Sequence, residues 1–180
     1  MRNPAAVGIV LLGCALSAQS QDVGIGMKWN GGTGILIPVK LNENLMLEGS
    51  VAYSDSSDTY NGGYFGNSDH TYKEMSYGVG LFWLKPMGDS VRAYLGPRVA
   101  YNQYKTTFES SGVRSDSQTN TWSVAPTLGF EYFPVKHLSL GGEVGLSYAH
   151  VAGTPDSGSG GLVKAHALST TSSVLIRYYF

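Results

Sequence analysis

The sequence predicts an all-β fold: eight antiparallel strands closed into an up-and-down transmembrane β-barrel, preceded by a cleaved signal peptide. Three observations predict it. Apolar and polar residues alternate with period two along most of the chain, the spacing of a strand with two unlike faces. One face of each strand is apolar or aromatic, while the other carries Gly, Ser, Thr and charges of both signs. The connections between strands alternate short and long, as in barrels with short turns on one rim and long loops on the other. The closing stretch shows the alternation best. Val174, Ile176, Tyr178 and Phe180 fall on one face, and Ser173, Leu175, Arg177 and Tyr179 on the other. An edge with unpaired backbone groups cannot persist in hydrocarbon, so such a strand requires enough partners to close a barrel.

Composition agrees. The chain has 180 residues, a net charge of −1 and only 14% charged residues, with 24 Gly and 12 Tyr. Such a balance gives no basic field for nucleic acid. The plentiful, periodic aromatic and β-branched residues argue against disorder. Residues 1–20 differ from the rest. Arg2 precedes a small and apolar run from Ala5 to Leu16, then Ser17, Ala18, Gln19 and Ser20. This reads as a secretory signal peptide cut after Ser20. It leaves residues 21–180 as one barrel domain. The single cysteine, Cys14, sits in the apolar run, where it reads as a small apolar residue; the alternative is an imperfect lipobox, with Leu12 before Gly13. A cut at Ser20 leaves a mature chain without cysteine, hence without disulfide or thiolate chemistry.

The elements follow in order. Asp22–Trp29 sets Val23, Ile25, Met27 and Trp29 against Gly24, Gly26 and Lys28. Asn30-Gly31-Gly32 supplies a tight turn, since these residues tolerate positive φ. Thr33–Leu41 sets Ile35, Ile37, Val39 and Leu41 opposite Lys40, and Leu45–Ser54 sets Leu45, Leu47, Val51 and Tyr53 against Met46, Glu48 and Ser50. Residues 55–70 are polar and rich in Gly and Tyr and read as a long loop. Thr71–Lys85 and Val91–Phe108 are the fourth and fifth strands, Asn120–Phe133 the sixth, Leu138–His150 the seventh, and the stretch from Ala165 the eighth. Residues 109–119 and 151–163 read as further loops. An even number of strands leaves both termini on the same rim, with the long loops on the other.

The polar face carries Glu48, Glu131 and Glu143 against Lys28, Lys40, Arg92, Arg98 and Arg177. An eight-stranded interior is just wide enough to be filled by side chains, and a buried charge needs a partner. Glu48, Arg92, Arg98, Glu131, Glu143 and Arg177 are therefore expected to form an internal charge network. Trp29, Tyr53, Tyr101, Trp122 and Tyr148 fall near loop ends, and Trp83, Tyr132, Tyr178 and Phe180 near turn ends, as two interfacial belts require. Pro38, Pro97 and Pro126 fall inside strands, where a closed barrel has no edge to accommodate a missing N–H. Bulges or displaced strand ends are expected there.

The stretches Y-L-G-P-R-V-A-Y at 94–101, G-F-E-Y-F-P at 129–134 and L-S-L-G-G-E-V-G-L-S-Y at 138–148 carry a resemblance. The mature chain resembles the small eight-stranded outer-membrane barrels of the OmpA/OmpX type. The resemblance implies a Gram-negative outer-membrane location, contact with outer-membrane lipid and lipopolysaccharide, and a monomer. It also implies that Val174, Ile176, Tyr178 and Phe180 form the C-terminal signal read by the barrel-assembly machinery. The expected likeness is to the barrel alone, without the peptidoglycan-binding domain of full-length OmpA.

No catalytic motif, metal set or cofactor motif is found. His166 and Ser169 have opposite parity and point to opposite faces, and the Ser68-Asp69-His70 run lies in a loop. A Ser–His pair needs hydrogen-bond contact and an orienting carboxylate, so the chain is read as a non-enzyme. The loop carboxylates Asp55, Asp58, Asp69, Glu109, Asp116 and Asp156 lack the spacing of a calcium loop. The expected role is structural or surface-interacting, with an extracellular ligand met by the loops through Tyr60, Tyr64 and Phe65. A narrow solute pore and a lipid-A-modifying enzyme are the alternatives.

Overall fold

Strands whose two faces differ this sharply settle into one antiparallel ring. In order they are β1 (Gly24–Trp29), β2 (Thr33–Asn42), β3 (Leu45–Tyr60), β4 (Ser68–Pro86), β5 (Val91–Ser110), β6 (Val113–Val135), β7 (Leu138–Thr154) and β8 (Val163–Tyr179). Each pairs with the next, and the barrel is closed. The closing seam pairs β1 with β8, Gly24 opposite Tyr179 through Trp29 opposite Val174. The structure is a computed structural model describing residues 23–29, 32–60, 68–110, 113–154 and 163–180. Residues 1–20, including Cys14, and the contact candidates Tyr64 and Phe65 lie outside the described residues.

The barrel is inverted relative to a water-soluble sheet. Ile25, Met27, Ile35, Leu95, Leu128, Phe130, Val144, Leu146 and Val174 all point outward and are exposed. Leaving such side chains in water forfeits about 25 cal/mol per Å² of apolar surface, and a patch encircling the molecule has the character of a membrane-facing surface. Trp83, Tyr132, Tyr178 and Phe180 flank this band on the turn side, and Tyr53, Trp122 and Tyr148 on the other; all are exposed. The Tyr101 ring lies 4.8 Å from that of Trp122, its cross-strand partner.

Two expectations are corrected. Of the stretches expected as loops, residues 55–60, 68–70, 109–110, 113–119 and 151–154 are strand. β3 and β4 stay paired from Tyr53 opposite Met75 to Tyr60 opposite Ser68, and β5 and β6 from Tyr101 opposite Trp122 to Ser110 opposite Val113. Beyond the membrane both faces of a strand are wet, so the apolar contrast that marks a strand disappears while the ladder continues. Cross-strand pairs hold it, as where the Thr107 hydroxyl donates to Asp116 Oδ1 at 2.8 Å and the His70 and Phe108 rings meet at 4.7 Å.

The prolines also behave differently. Register shifts occur between Lys40 and Asn42 and between Tyr132 and Val135, near the short turns. At the prolines the ladder lapses and resumes unshifted. β4–β5 pairing stops at Gly80 opposite Arg98 and resumes at Trp83 opposite Leu95. β6–β7 pairing stops at Val124 opposite Tyr148 and resumes at Thr127 opposite Gly145. β1–β2 pairing ends at Gly26 opposite Leu36, with a lone bridge from Val23 to Val39 beyond Pro38. Each proline turns its nitrogen toward one neighbour, so it weakens one ladder and leaves the other intact. Pro97 and Pro126 face each other across β5–β6.

Candidate functional site

The lumen is assembled from alternate residues of every strand. The polar positions form one chain of ion pairs running Lys28, Glu143, Arg98, Glu48, Arg177, Glu131, Arg92. Arg98 bridges two carboxylates, with Nη2 2.9 Å from Glu143 Oε2 and 2.8 Å from Glu48 Oε1. Arg177 bridges the next two, with Nη2 2.6 Å from Glu48 Oε2 and Nη1 2.9 Å from Glu131 Oε1. Lys28 pairs with Glu143 and Arg92 with Glu131 at the ends. Glu48, Glu131 and Arg177 are fully buried.

Neutral donors add to two of the three carboxylates, while Glu48 meets only the Arg98 and Arg177 guanidinium groups. Glu131 accepts from the Ser139 hydroxyl and from the Tyr179 hydroxyl, each at 2.9 Å. Glu143 accepts from the hydroxyls of Ser173 at 3.1 Å and Tyr94 at 3.2 Å. Such satisfaction is what makes a buried ionic cluster tolerable, because the desolvation cost of each ion is several kcal/mol.

Apolar side chains fill the remaining space. Leu36, Met46, Phe82, Leu84, Tyr94 and Leu175 form a buried cluster inside the barrel. The Phe82 and Tyr94 rings meet edge to face at 5.2 Å. The guanidinium of Arg98 lies 5.3 Å from the Phe82 ring and that of Arg177 5.2 Å from Tyr94. Gly129 makes room for Tyr94: a Cβ there would come within 2.2 Å of the Tyr94 ring.

The six charged residues singled out in the sequence are thus brought into one chain. Lys28, named there only as an inner-face charge, supplies its outer end. Phe82, Leu84 and Leu36 also face the lumen, as their parity with Gly80 and Lys40 requires. Expecting only polar residues inside hid this apolar half of the plug. Val174, Ile176 and Tyr178 form an exposed outward row, and the Phe180 N–H donates to Val23 O at 2.9 Å.

Two of the four histidines meet toward the outer rim, while His137 sits at the β6–β7 turn against Tyr179 O. His150 and His166 are cross-strand partners facing outward, their rings 4.9 Å apart. The Tyr148 hydroxyl lies 2.9 Å from His166 Nδ1. Ser169 instead pairs across with Ser147 on the lumen face. Among the described residues no group of three or more His, Cys, Asp or Glu is arranged to hold a metal. Tyr60 is the last residue of β3.

Outside the membrane two groups titrate away from their ordinary values. Burial, with a hydrogen bond to Glu74, pushes Tyr104 up to about 12. Hydrogen bonds from Thr107 and Arg114 hold Asp116 below the ordinary aspartate value.

Comparison with known proteins agrees with this architecture. The chain is similar over 88% of its length to a major outer membrane protein of Thermus thermophilus, covering 98% of that chain at 14% identity with a TM-score of 0.57. It is also similar to Ail, the attachment invasion locus protein of Yersinia pestis, at 12% identity and TM-score 0.47, covering 88% of this chain and 93% of that one. CarO of Acinetobacter baumannii matches at 16% identity and TM-score 0.46, covering 90% and 98%. No curated protein sequence matches. A family model described as the outer membrane protein beta-barrel domain matches residues 4–173. The chain belongs to that family of outer-membrane β-barrels.

Proposed function

We propose that the protein is a membrane anchor with a closed interior that presents its outer hairpins for contact with an extracellular ligand. The observation that carries this reading is the continuous ion-pair chain, backed by the aromatic plug of Phe82 and Tyr94. These pairs and rings cross the lumen, and moving them apart would strand charges at several kcal/mol each. The strands rising beyond the aromatic belt give a stiff platform for the outer tips, where binding residues tend to sit on a rigid scaffold. Export through residues 1–20 with cleavage after Ser20, assembly through the terminal Val174, Ile176, Tyr178 and Phe180 pattern, contact with lipopolysaccharide and a monomeric state belong to the same proposal.

Planar-bilayer recording of the refolded barrel tests it. The expected result is no steady conductance. Steady channels whose conductance changes in Glu143→Gln would replace the anchor with a narrow pore.

A further inference from the structure

One outward row crosses the upper part of the wall through Tyr101, Trp122, His150 and His166, each residue opposite the next on β5, β6, β7 and β8. It follows the outer interface, where amphipathic aromatic rings collect. Two adjacent positions of the row hold imidazoles instead. A neutral imidazole carries a ring-nitrogen lone pair that phenol and indole rings lack. His166 is exposed and His150 half-buried.

The ladder brings the two rings together. The Tyr179 N–H donates to His137 O, so Tyr179 and His137 form a hydrogen-bonded pair. Hydrogen-bonded and non-hydrogen-bonded pairs alternate along antiparallel strands. This ladder runs without a shift from Leu138 opposite Tyr178 to Gly153 opposite Val163. His150 and His166 are therefore a non-hydrogen-bonded pair, the kind in which facing side chains stand closest.

Their rings lie 4.9 Å apart, tilted by 44°. Two imidazole nitrogens about 2.0–2.1 Å from one ion, at ligand angles of roughly 90–109°, place the ring centroids about 4.5–5.2 Å apart. The observed separation falls inside that range. The tilt matters too, because an imidazole lone pair lies in the ring plane. Parallel planes never meet, whereas tilted planes share a line on which one ion can sit. Tyr148 steadies one ring, its hydroxyl 2.9 Å from His166 Nδ1. With Nδ1–H donating to the phenol oxygen, the Nε2 lone pair is left for an ion, and ligating imidazoles are usually held through their other nitrogen in this way.

The surroundings select the ion. The outward neighbours of the pair are Asn120, Trp122, Tyr148, Ala152, Lys164 and Leu168. None is a carboxylate, so calcium and magnesium lack the charged oxygens they require. An anion would meet a single charge, Lys164. Imidazoles suit copper, zinc and nickel.

We propose that His150 and His166 form a two-imidazole site for a divalent transition-metal ion on the outward face of the barrel, with solvent oxygens completing the shell. The ion ties the outer part of β8 to β7, its one described neighbour from Thr170 to Val163. The site faces away from the lumen, so it stands whether or not the barrel conducts.

Copper(II) is the probe, since it binds such donors most tightly among the first-row divalent ions. The refolded barrel, carrying no polyhistidine tag, is placed in lipid nanodiscs and titrated with copper(II), and pulsed EPR counts the imidazoles coupled to the ion. The expected result is one ion per barrel coupled to two imidazoles. His150→Asn and His166→Asn should each leave one coupled imidazole and weaken binding by about tenfold or more. Both side chains face outward, so neither replacement disturbs the lumen, and heat-modifiable gel mobility checks that each variant is folded. His70→Asn should bind as the wild type does. Tyr148→Phe should keep both couplings and bind about tenfold more weakly, as when an outer-shell partner is lost. A wild-type dissociation constant above about 1 mM, a single coupled imidazole in the wild type, or undiminished binding by the double variant His150→Asn with His166→Asn would overturn the proposal. Unchanged affinity in Tyr148→Phe would overturn the part given to its hydroxyl.

Discussion

Arg177 is the residue on which the interior depends most. It is fully buried and joins Glu48 to Glu131. Replacing it with Met leaves two buried carboxylates without their shared cation. Breaking a buried pair costs about 3–5 kcal/mol, so Arg177→Met should lower the unfolding free energy in detergent by that amount. Denaturant titration checks it, and a variant matching wild type would mean that the lumen is wet. Gly129→Ala acts through shape, because the new methyl meets the Tyr94 ring. Overpacking costs about 1–3 kcal/mol, and the same titration should show a loss in that range. The Asp116 carboxyl is held below its ordinary value of 3.8 by Thr107 and Arg114. A depressed carboxyl stabilises the folded hairpin above the unfolded value and loses that contribution as pH falls through the folded one. Amide protection around Thr107 should therefore weaken below pH ~3.8, and Asp116→Asn should remove this pH dependence.

At the scale of elements, neighbouring residues of β5 should respond very differently to alanine. Pro97→Ala restores an N–H toward β4, a gain of about 0.5–1.5 kcal/mol. It also frees the unfolded chain, a loss of about 0.4–1 kcal/mol. The two offset, so the melting midpoint should barely move. Gly96→Ala should lower it substantially, because a Cβ there would lie 1.9 Å from the Leu81 carbonyl oxygen and force β4 and β5 apart. Equal midpoints for the two variants would contradict the close approach at Gly96. The same strands show what sequence could reveal. Within the membrane, alternation located every strand, because lipid and lumen impose opposite chemistry on successive residues. Beyond it, Thr106, Thr107, Ser115 and Ser117 meet water on both faces, and nothing in their pattern distinguishes a paired strand from a loop. The six network charges were legible by parity and sign. The partner of each was not, since Arg177 could have met any of the three glutamates until the register set Glu48 and Glu131 beside it.

For the whole molecule, the outward apolar surface and filled lumen make the fold depend on its solvent. Transfer to detergent-free buffer should aggregate the barrel. In detergent, the unheated protein should migrate differently from the boiled one on a gel, and identical mobility would contradict a stable closed barrel. The ion-pair chain also sets an order of construction. Glu48 lies on β3 and Glu131 on β6, but their shared cation arrives only with β8, the last strand made. Lys28 on β1 likewise waits for Glu143 on β7. A chain lacking its end keeps Glu48 on Arg98 and Glu131 on Arg92, but nothing joins the two halves of the network. The join between those halves, and with it the continuous ion-pair chain, is made only when the strand that closes the ring is in place.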